Sequence, residues 1–168
     1  MGEVPIRQHV VTIPKMLRLC FKYDRKLLGE LSRSYYESIK ELFLDAVVQA
    51  ECSPADSPAL PAMIASIQTY GDDPTRYHPH LHCLVADGLI LRDGSFLPIP
   101  RPDPVQIMLL FRHKLLKTLL AKEKISPSAW LTSFSPGAIP AFPYFRATAS
   151  PLTILRHENA WPDIVLMF

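Results

Sequence analysis

Residues 77–85 read YHPHLHCLV, and this stretch determines how the rest of the chain is interpreted. Successive side chains of a β-strand point to opposite faces, so His78, His80 and His82 are predicted to share one face. The residues that alternate with them include leucine, cysteine and valine, which suit a buried core. The stretch therefore predicts a half-buried strand that carries three imidazoles on its other face.

Two imidazoles on one strand face, two residues apart, can converge on one metal ion, and neutral imidazole is the commonest protein ligand for metals. Two of these three histidines are therefore predicted to bind a metal ion. The preceding predicted strand offers Gln68 as a third ligand, and its amide oxygen suits magnesium or manganese. The alternative remains open that the three histidines only occupy a solvated sheet face, since short motifs match by chance.

Other families with a His-x-His motif fit this chain poorly. A metallo-β-lactamase-like site requires an aspartate two residues after the second histidine, and Leu84 stands there. An amidohydrolase barrel requires more residues than the 168 of this chain. Neither class is predicted.

Working outward from the histidines, hydrophobic periodicity predicts an alternation of strands and helices. The predicted strands cover residues 8–13, 63–70 and 80–86, and the predicted helices cover residues 24–48, with Asp24 as cap, and 105–124. Asp87-Gly88 and Asp93-Gly94 each predict a hairpin turn. This order is typical of an α+β fold in which an antiparallel sheet carries its helices on one face.

Composition limits the classes of function without choosing among them. Hydrophobic residues make up 48% of the chain, which is enough for a folded core. The net charge of +2 is too small to predict nucleic-acid binding by itself. The three cysteines form no Cys-x-x-Cys pair, which favours a reducing cytoplasm, and no apolar run is long enough to predict a membrane span.

Three stretches of the chain resemble the HUH-type transposases of the insertion sequence 91 family. Residues 77–82, followed by LVADG at 84–88, resemble the HUH motif of that family. Residues 12–18, TIPKMLR, are similar to its Thr-x-Pro-x-x-Leu-Arg segment. Residues 68–71, QTYG, resemble its Gln-x-Phe-Gly stretch, with Tyr70 in place of phenylalanine. The resemblance extends from about Glu3 to Pro127 and rests on three matches in the same order.

The resemblance implies a HUH endonuclease core, which is ferredoxin-like, and a transposase function. His80 and His82 would be the HUH pair with a divalent metal ion, magnesium or manganese, between them. In the family, a tyrosine attacks single-stranded DNA and forms a phosphotyrosine link. The implied partner is DNA, as single-stranded transposon ends, and Lys15 and Arg18 are candidate phosphate contacts. His78 varies in the motif and receives no ligand role.

The segment in which the family carries its nucleophilic tyrosines is anomalous here. Residues 127–168 are rich in proline and lack a sustained apolar period. The family commonly reads Trp-Arg-His-Ser-Gly-Phe after the second helix, and its codons read one base later give Gly-Ala-Ile-Pro-Ala-Phe. Residues 137–142 have this second sequence. We therefore expect a frameshift after about Pro127, an HUH core fragment over residues 1–126 that is incomplete at its C-terminus, and an irregular tail over 127–168.

The tyrosines that remain are poor candidates for the nucleophile. Tyr35 and Tyr36 lie upstream on the first predicted helix, with Tyr35 in the core register, and Tyr144 follows a proline in the tail. Two hypotheses result. The chain is a transposase by family, without a catalytic tyrosine and therefore inactive. Alternatively, it is a non-catalytic remnant that binds metal and single-stranded DNA.

Overall fold

Three helices cover one face of an open β-sheet in the computed structural model, which describes residues 4–49, 59–128 and the backbone of 164–167. The elements, in chain order, are β1 (Ile6–Thr12), α1 (Lys15–Tyr23), α2 (Leu27–Gln49), β2 (Leu60–Tyr70), β3 (Tyr77–Ile90), β4 (Phe96–Pro98), α3 (Pro104–Ala121) and β5 (Ile164–Met167). The predicted α+β fold with helices on one sheet face is confirmed.

The sheet is built around the long strand β3. The strand order is β2-β3-β1-β5, and β4 pairs with the distal end of β3. The pairings of β3 with β1, β2 and β4 are all antiparallel, whereas β5 lies parallel to β1. The histidine-bearing strand therefore lies in the interior of the sheet, with a partner on either side.

One face of the sheet packs against the helices, and we call it the core face. On β3 it carries Leu81, Cys83 and Val85, each no more than 1% exposed. Each long helix buries a row of residues four positions apart, a spacing that keeps them on one side of the helix. These residues are Leu31, Tyr35, Ile39 and Phe43 on α2 and Ile107, Phe111, Leu115 and Leu119 on α3.

Two features of the helices differ from their prediction. The sequence predicts one helix from residue 24, but a separate helix, α1, precedes it from Lys15 to Tyr23. Asp24 ends α1, and its carboxylate accepts the N–H of Lys26 at 3.1 Å just before α2 begins. The start of α3 is capped by Asp103, whose carboxylate accepts the N–H of Val105 at 2.9 Å.

The hairpin predicted at Asp87-Gly88 is wrong, because β3 continues through both residues to Ile90. Gly88 is required for another reason: a Cβ at this position would lie 2.2 Å from the carbonyl oxygen of Leu97 in the paired strand β4. The turn predicted at Asp93-Gly94 does connect β3 to β4. Gly94 there adopts a φ of 83°, which glycine tolerates best.

Most of the predicted tail, residues 129–163, lies outside the described residues, so its boundary at 126/127 and the frameshift stay predictions. Four tail residues, Ile164–Met167, form β5 beside β1. In the described part of the chain, Cys20 and Cys83 are free thiols. None of the helices described there combines the length and apolar character that a membrane crossing requires.

Candidate metal centre on the open face of the sheet

The face of the sheet opposite the helices, which we call the open face, carries the predicted histidines in a row. The ring centroids of His78 and His80 are 5.1 Å apart, and those of His80 and His82 are 5.0 Å apart. We refer to these three residues as the histidine row. Cys83 and Leu81 of the same strand are buried on the core face, as the alternation of strand side chains requires.

Strand pairing places Gln68 beside the row. In the register of β2 with β3, Gln68 is the Cα partner of His80, and in the register of β1 with β3 so is Thr12. Directly opposed side chains on one sheet face have Cβ atoms about 4.5–5.5 Å apart. The Gln68 amide is therefore within reach of the His80 ring and, diagonally, of His82.

A hydrogen bond fixes the tautomer of His80. Its Nδ1 lies 2.7 Å from the carbonyl oxygen of His78, an acceptor only, so Nδ1 carries the proton and donates it. The lone pair of Nε2 is then free to bind a cation, and metal-binding histidines in proteins are commonly oriented by such a backbone acceptor. His80 is also only 7% exposed, so its ring has little freedom to turn away.

His82 is oriented by a side chain of β1. Nε2 of Gln8 lies 3.3 Å from Nδ1 of His82. In this orientation the amide donates to Nδ1. Rotating the amide by 180° would bring its oxygen to the same place, and Nδ1 would then donate and leave Nε2 free for a cation. Either way, the contact holds the ring on the open face between β1 and β2.

The donors on this face suit a hard cation that keeps part of its water shell. In the described residues, no three His, Cys, Asp or Glu side chains are grouped to hold a metal ion. A centre here would therefore consist of His80, His82 and the exposed amide of Gln68, with water in the remaining positions. The Gln68 amide oxygen and the waters suit magnesium or manganese, whereas imidazole is the commoner ligand of zinc, copper, iron and nickel. The oxygen donors therefore fit the predicted ion, and the two imidazoles also allow a softer divalent cation.

The two basic residues predicted to contact DNA lie on α1 in different settings. Lys15 is exposed at the first turn, whereas Arg18 is half-buried beside the row. Nε of Arg18 and Nε2 of His78 are both buried and have no hydrogen-bond partner. Burial, followed by the charge of Arg18 and then by His80, lowers the pKa of His78 below its ordinary value. Arg18 therefore lies at the end of the row that faces α1.

Two tyrosine hydroxyls of the described residues form hydrogen bonds away from the histidine row. The Tyr35 hydroxyl is hydrogen-bonded to Nδ1 of His9 on the core face. The Tyr77 hydroxyl donates to the carbonyl of Phe21 at 2.9 Å. In the described ranges, no tyrosine hydroxyl is hydrogen-bonded to a residue of the row. Tyr144 lies outside those ranges.

The core contains a polar pair, His9 and Tyr35, that the sequence did not predict. His9 is 3% exposed, its Nε2 is buried without a hydrogen-bond partner, and its Nδ1 is bonded to Tyr35. Burial is the first cause that lowers the pKa of His9 to about 4, and Arg7 and Arg101 add to it. The alternation of His9 with Val11 on β1 was the available signal. This pair serves the core, because it lies on the opposite face from the row.

Comparison with known proteins gives one match. Residues 62–130 match the model of a family described as "Putative transposase". The matched segment contains most of β2 and all of β3, β4 and α3, and therefore Gln68, His80 and His82, whereas α1 lies outside it. No match was found among curated proteins or among solved structures. The segment from 62 to 130, which carries the candidate metal centre, is thus similar to a transposase family.

Proposed function

We propose that this chain is the metal-binding core of an HUH-type transposase of the insertion sequence 91 kind. The similarity of residues 62–130 to a transposase family supports the general assignment to DNA transposition. The finer assignment to the HUH type rests on the motif at His80 and His82 and on the ordered resemblances around it. The substrate class is single-stranded DNA at transposon ends.

The observation that carries the proposal is the pairing of Gln68 with His80 on the open face. This register sets an amide oxygen beside two imidazoles whose rings are already oriented by His78 and Gln8. A purely solvated row of histidines would need neither contact. When bound, a divalent cation would polarise a DNA phosphate for attack. The chain's own contribution is to hold the three donors and to fix the neutral His80 tautomer in which the Nε2 lone pair points away from the backbone acceptor.

Manganese binding to the full chain tests the metal centre. We expect one bound ion per chain, measured by the loss of the free-ion signal in electron paramagnetic resonance and reversed by EDTA. His113→Ala is the matched control, because His113 is an exposed histidine of α3, away from the row. The proposal fails if the wild type and a chain unfolded in urea take up the ion equally.

The tyrosine positions favour a second candidate, a core that binds metal and DNA but does not cut. The hydroxyls of Tyr35 and Tyr77 are engaged elsewhere, and Tyr35 is fully buried. We expect no denaturation-resistant adduct between this polypeptide and single-stranded DNA in the presence of manganese. Gel electrophoresis under denaturing conditions with labelled oligonucleotides measures it. An adduct that disappears in Tyr144→Phe would establish an active nuclease instead.

A further inference from the structure

The helix α1 carries an unusual surface beside the histidine row. The segment from Lys15 to Lys26 contains a single acidic residue, Asp24, whose carboxylate is paired with Lys124 at 3.1 Å. The segment contains five basic residues, none of which makes an ion pair within the described residues. They are Lys15, Arg18, Lys22, Arg25 and Lys26. By contrast, Arg33, Lys40 and Lys114 of the longer helices are each paired with a glutamate.

Helical geometry divides the surface of α1 into two stripes. At about 100° per residue, Lys22 and Lys15 lie roughly 40° and 60° around the helix from Arg18, which forms one basic stripe. Next to it lies an apolar stripe of Leu19, Tyr23 and Met16. These three side chains are 58%, 83% and 58% exposed, respectively. Large apolar side chains grouped in this way on a surface mark a contact site more often than isolated ones do.

One edge of the basic stripe lies next to the histidine row. Arg18 forms this edge, and the charge of Arg18 acts on His78, the end of the row nearest α1. Nε of Arg18 is buried and unpartnered, but its terminal nitrogens are not among the buried atoms that lack a partner. Those nitrogens make no bond in the described residues, so they remain available to a ligand that approaches the row.

We propose that α1 and the turn after it form a binding track for single-stranded DNA. Arg18 holds a backbone phosphate beside the row, and Tyr23 stacks on a base. Lys15, Lys22 and Arg25, the last in the turn after α1, contact neighbouring phosphates. Cations that track the backbone, together with an aromatic ring that stacks on bases, are the usual combination for binding single strands without sequence preference. Arg18 and Tyr23 lie about 8 Å apart along the helix axis, which keeps both functions on one short stretch of strand.

This proposal rests on the proposed function only for the choice of single-stranded DNA as ligand. Its test therefore uses EDTA, so that a failed metal centre leaves the result unaffected. The probe is a fluorescent 20-nucleotide oligothymidylate, and its anisotropy is measured with the full chain at several salt concentrations. The test variant is the triple substitution Lys15→Gln, Lys22→Gln and Arg25→Gln. The control removes the same charge at Arg92, Arg101 and Lys117, which are exposed residues outside α1.

The α1 triple variant is expected to bind at least about tenfold more weakly. Its slope of log affinity against log salt should fall in magnitude by about 2, since each phosphate contact contributes about 0.7. The control triple should retain both values. Tyr23→Ala should bind about tenfold more weakly with an unchanged slope, because stacking releases no counterions. Manganese binding of all these variants should match that of the wild type.

Several outcomes would overturn the proposal. Equal losses in both triple variants would mean a general effect of charge, and an unchanged affinity in the α1 variant would place the DNA elsewhere. Failure of the wild type to bind the oligonucleotide would also reject the track. Binding of α1 to vesicles containing phosphatidylserine, without binding to DNA, would assign the surface to a membrane. One further result separates the two proposals. If the His80 and His82 variants lose manganese binding but bind the oligonucleotide as the wild type does, the track on α1 is supported without the metal centre.

Discussion

Replacing His80 or His82 with alanine is expected to weaken manganese binding by at least about a hundredfold. Losing a group that merely orients a metal-binding histidine typically lowers affinity by about 10–100-fold, so losing a ligand should cost at least as much. The Gln68→Ala variant should lose less, about tenfold, because water can replace one amide oxygen. Gln68→Glu should keep or strengthen binding, since a carboxylate oxygen suits the same ion. The measurement is a manganese titration followed by electron paramagnetic resonance.

A control is needed because His80 is 7% exposed and its loss could perturb the sheet. Circular dichroism and thermal unfolding show whether each variant is folded, and His80→Gln offers a larger replacement for the same ring. The graded order of the Gln68 variants is informative in itself, because damage to the fold would not make glutamate better than alanine. Equal affinity in the wild type and both histidine variants would show that the row is only a solvated sheet face.

The sequence predicts those parts of the fold that depend on local periodicity. Alternation at residues 80–86 and the repeat of three and four residues in α2 and α3 both reflect burial on one face, and both elements are present. The same alternation put His80 and His82 on one face. Pairing Gln68 with His80 required only that two consecutive strands be antiparallel neighbours, which is common for strands joined by a short connection.

The features that the sequence predicted wrongly or did not predict have a different origin. Most of them depend on contacts between residues distant in sequence. Gly88 resembles a turn residue locally, but its role depends on the paired strand β4. A Cβ on Gly88 would lie 2.2 Å from the carbonyl oxygen of Leu97 in that strand. The parallel pairing of β5 with β1 joins residues some 155 positions apart, for example His9 and Ile164, and no local pattern encodes it. Helix α1 is short, and the proline before it obscured its start, so its basic and apolar stripes became visible only with the structure.

The open face and the core face also differ in what their histidines can do. The row is accessible to a ligand through Gln68 and His82, whereas His9 is enclosed between β1 and α2 with Tyr35. Tyr35 also packs edge-on against Phe111 at 5.6 Å between ring centroids, which ties the polar pair to α3. His9 can neither reach solvent nor bind an ion on the open face. A change in its protonation is therefore expected to change the stability of the fold.

Protonation of His9 is therefore expected to destabilise the domain at mildly acidic pH. The folded-state pKa of His9 is about 4, and the ordinary value that an unfolded chain restores is 6.5. Because the folded pKa is the lower one, the unfolded state binds the proton more tightly. The contribution of neutral His9 to stability is complete above pH 6.5 and is lost as the pH falls towards 4. At about 1.4 kcal/mol per pH unit, the loss amounts to about 3 kcal/mol.

Urea unfolding between pH 7.5 and 4.5, followed by circular dichroism, measures this dependence in the wild type and in His9→Leu. The variant should be less stable at pH 7.5, because the Tyr35 hydroxyl loses its partner at a cost of about 1–3 kcal/mol. Its stability should nevertheless change far less with pH, so that the two proteins converge near pH 4.5. His113→Gln, which alters an exposed histidine, should follow the wild-type curve. Parallel curves for His9→Leu and the wild type would mean that His9 is not the titrating group, and the row, with the lowered pKa of His78, would then account for the acid sensitivity.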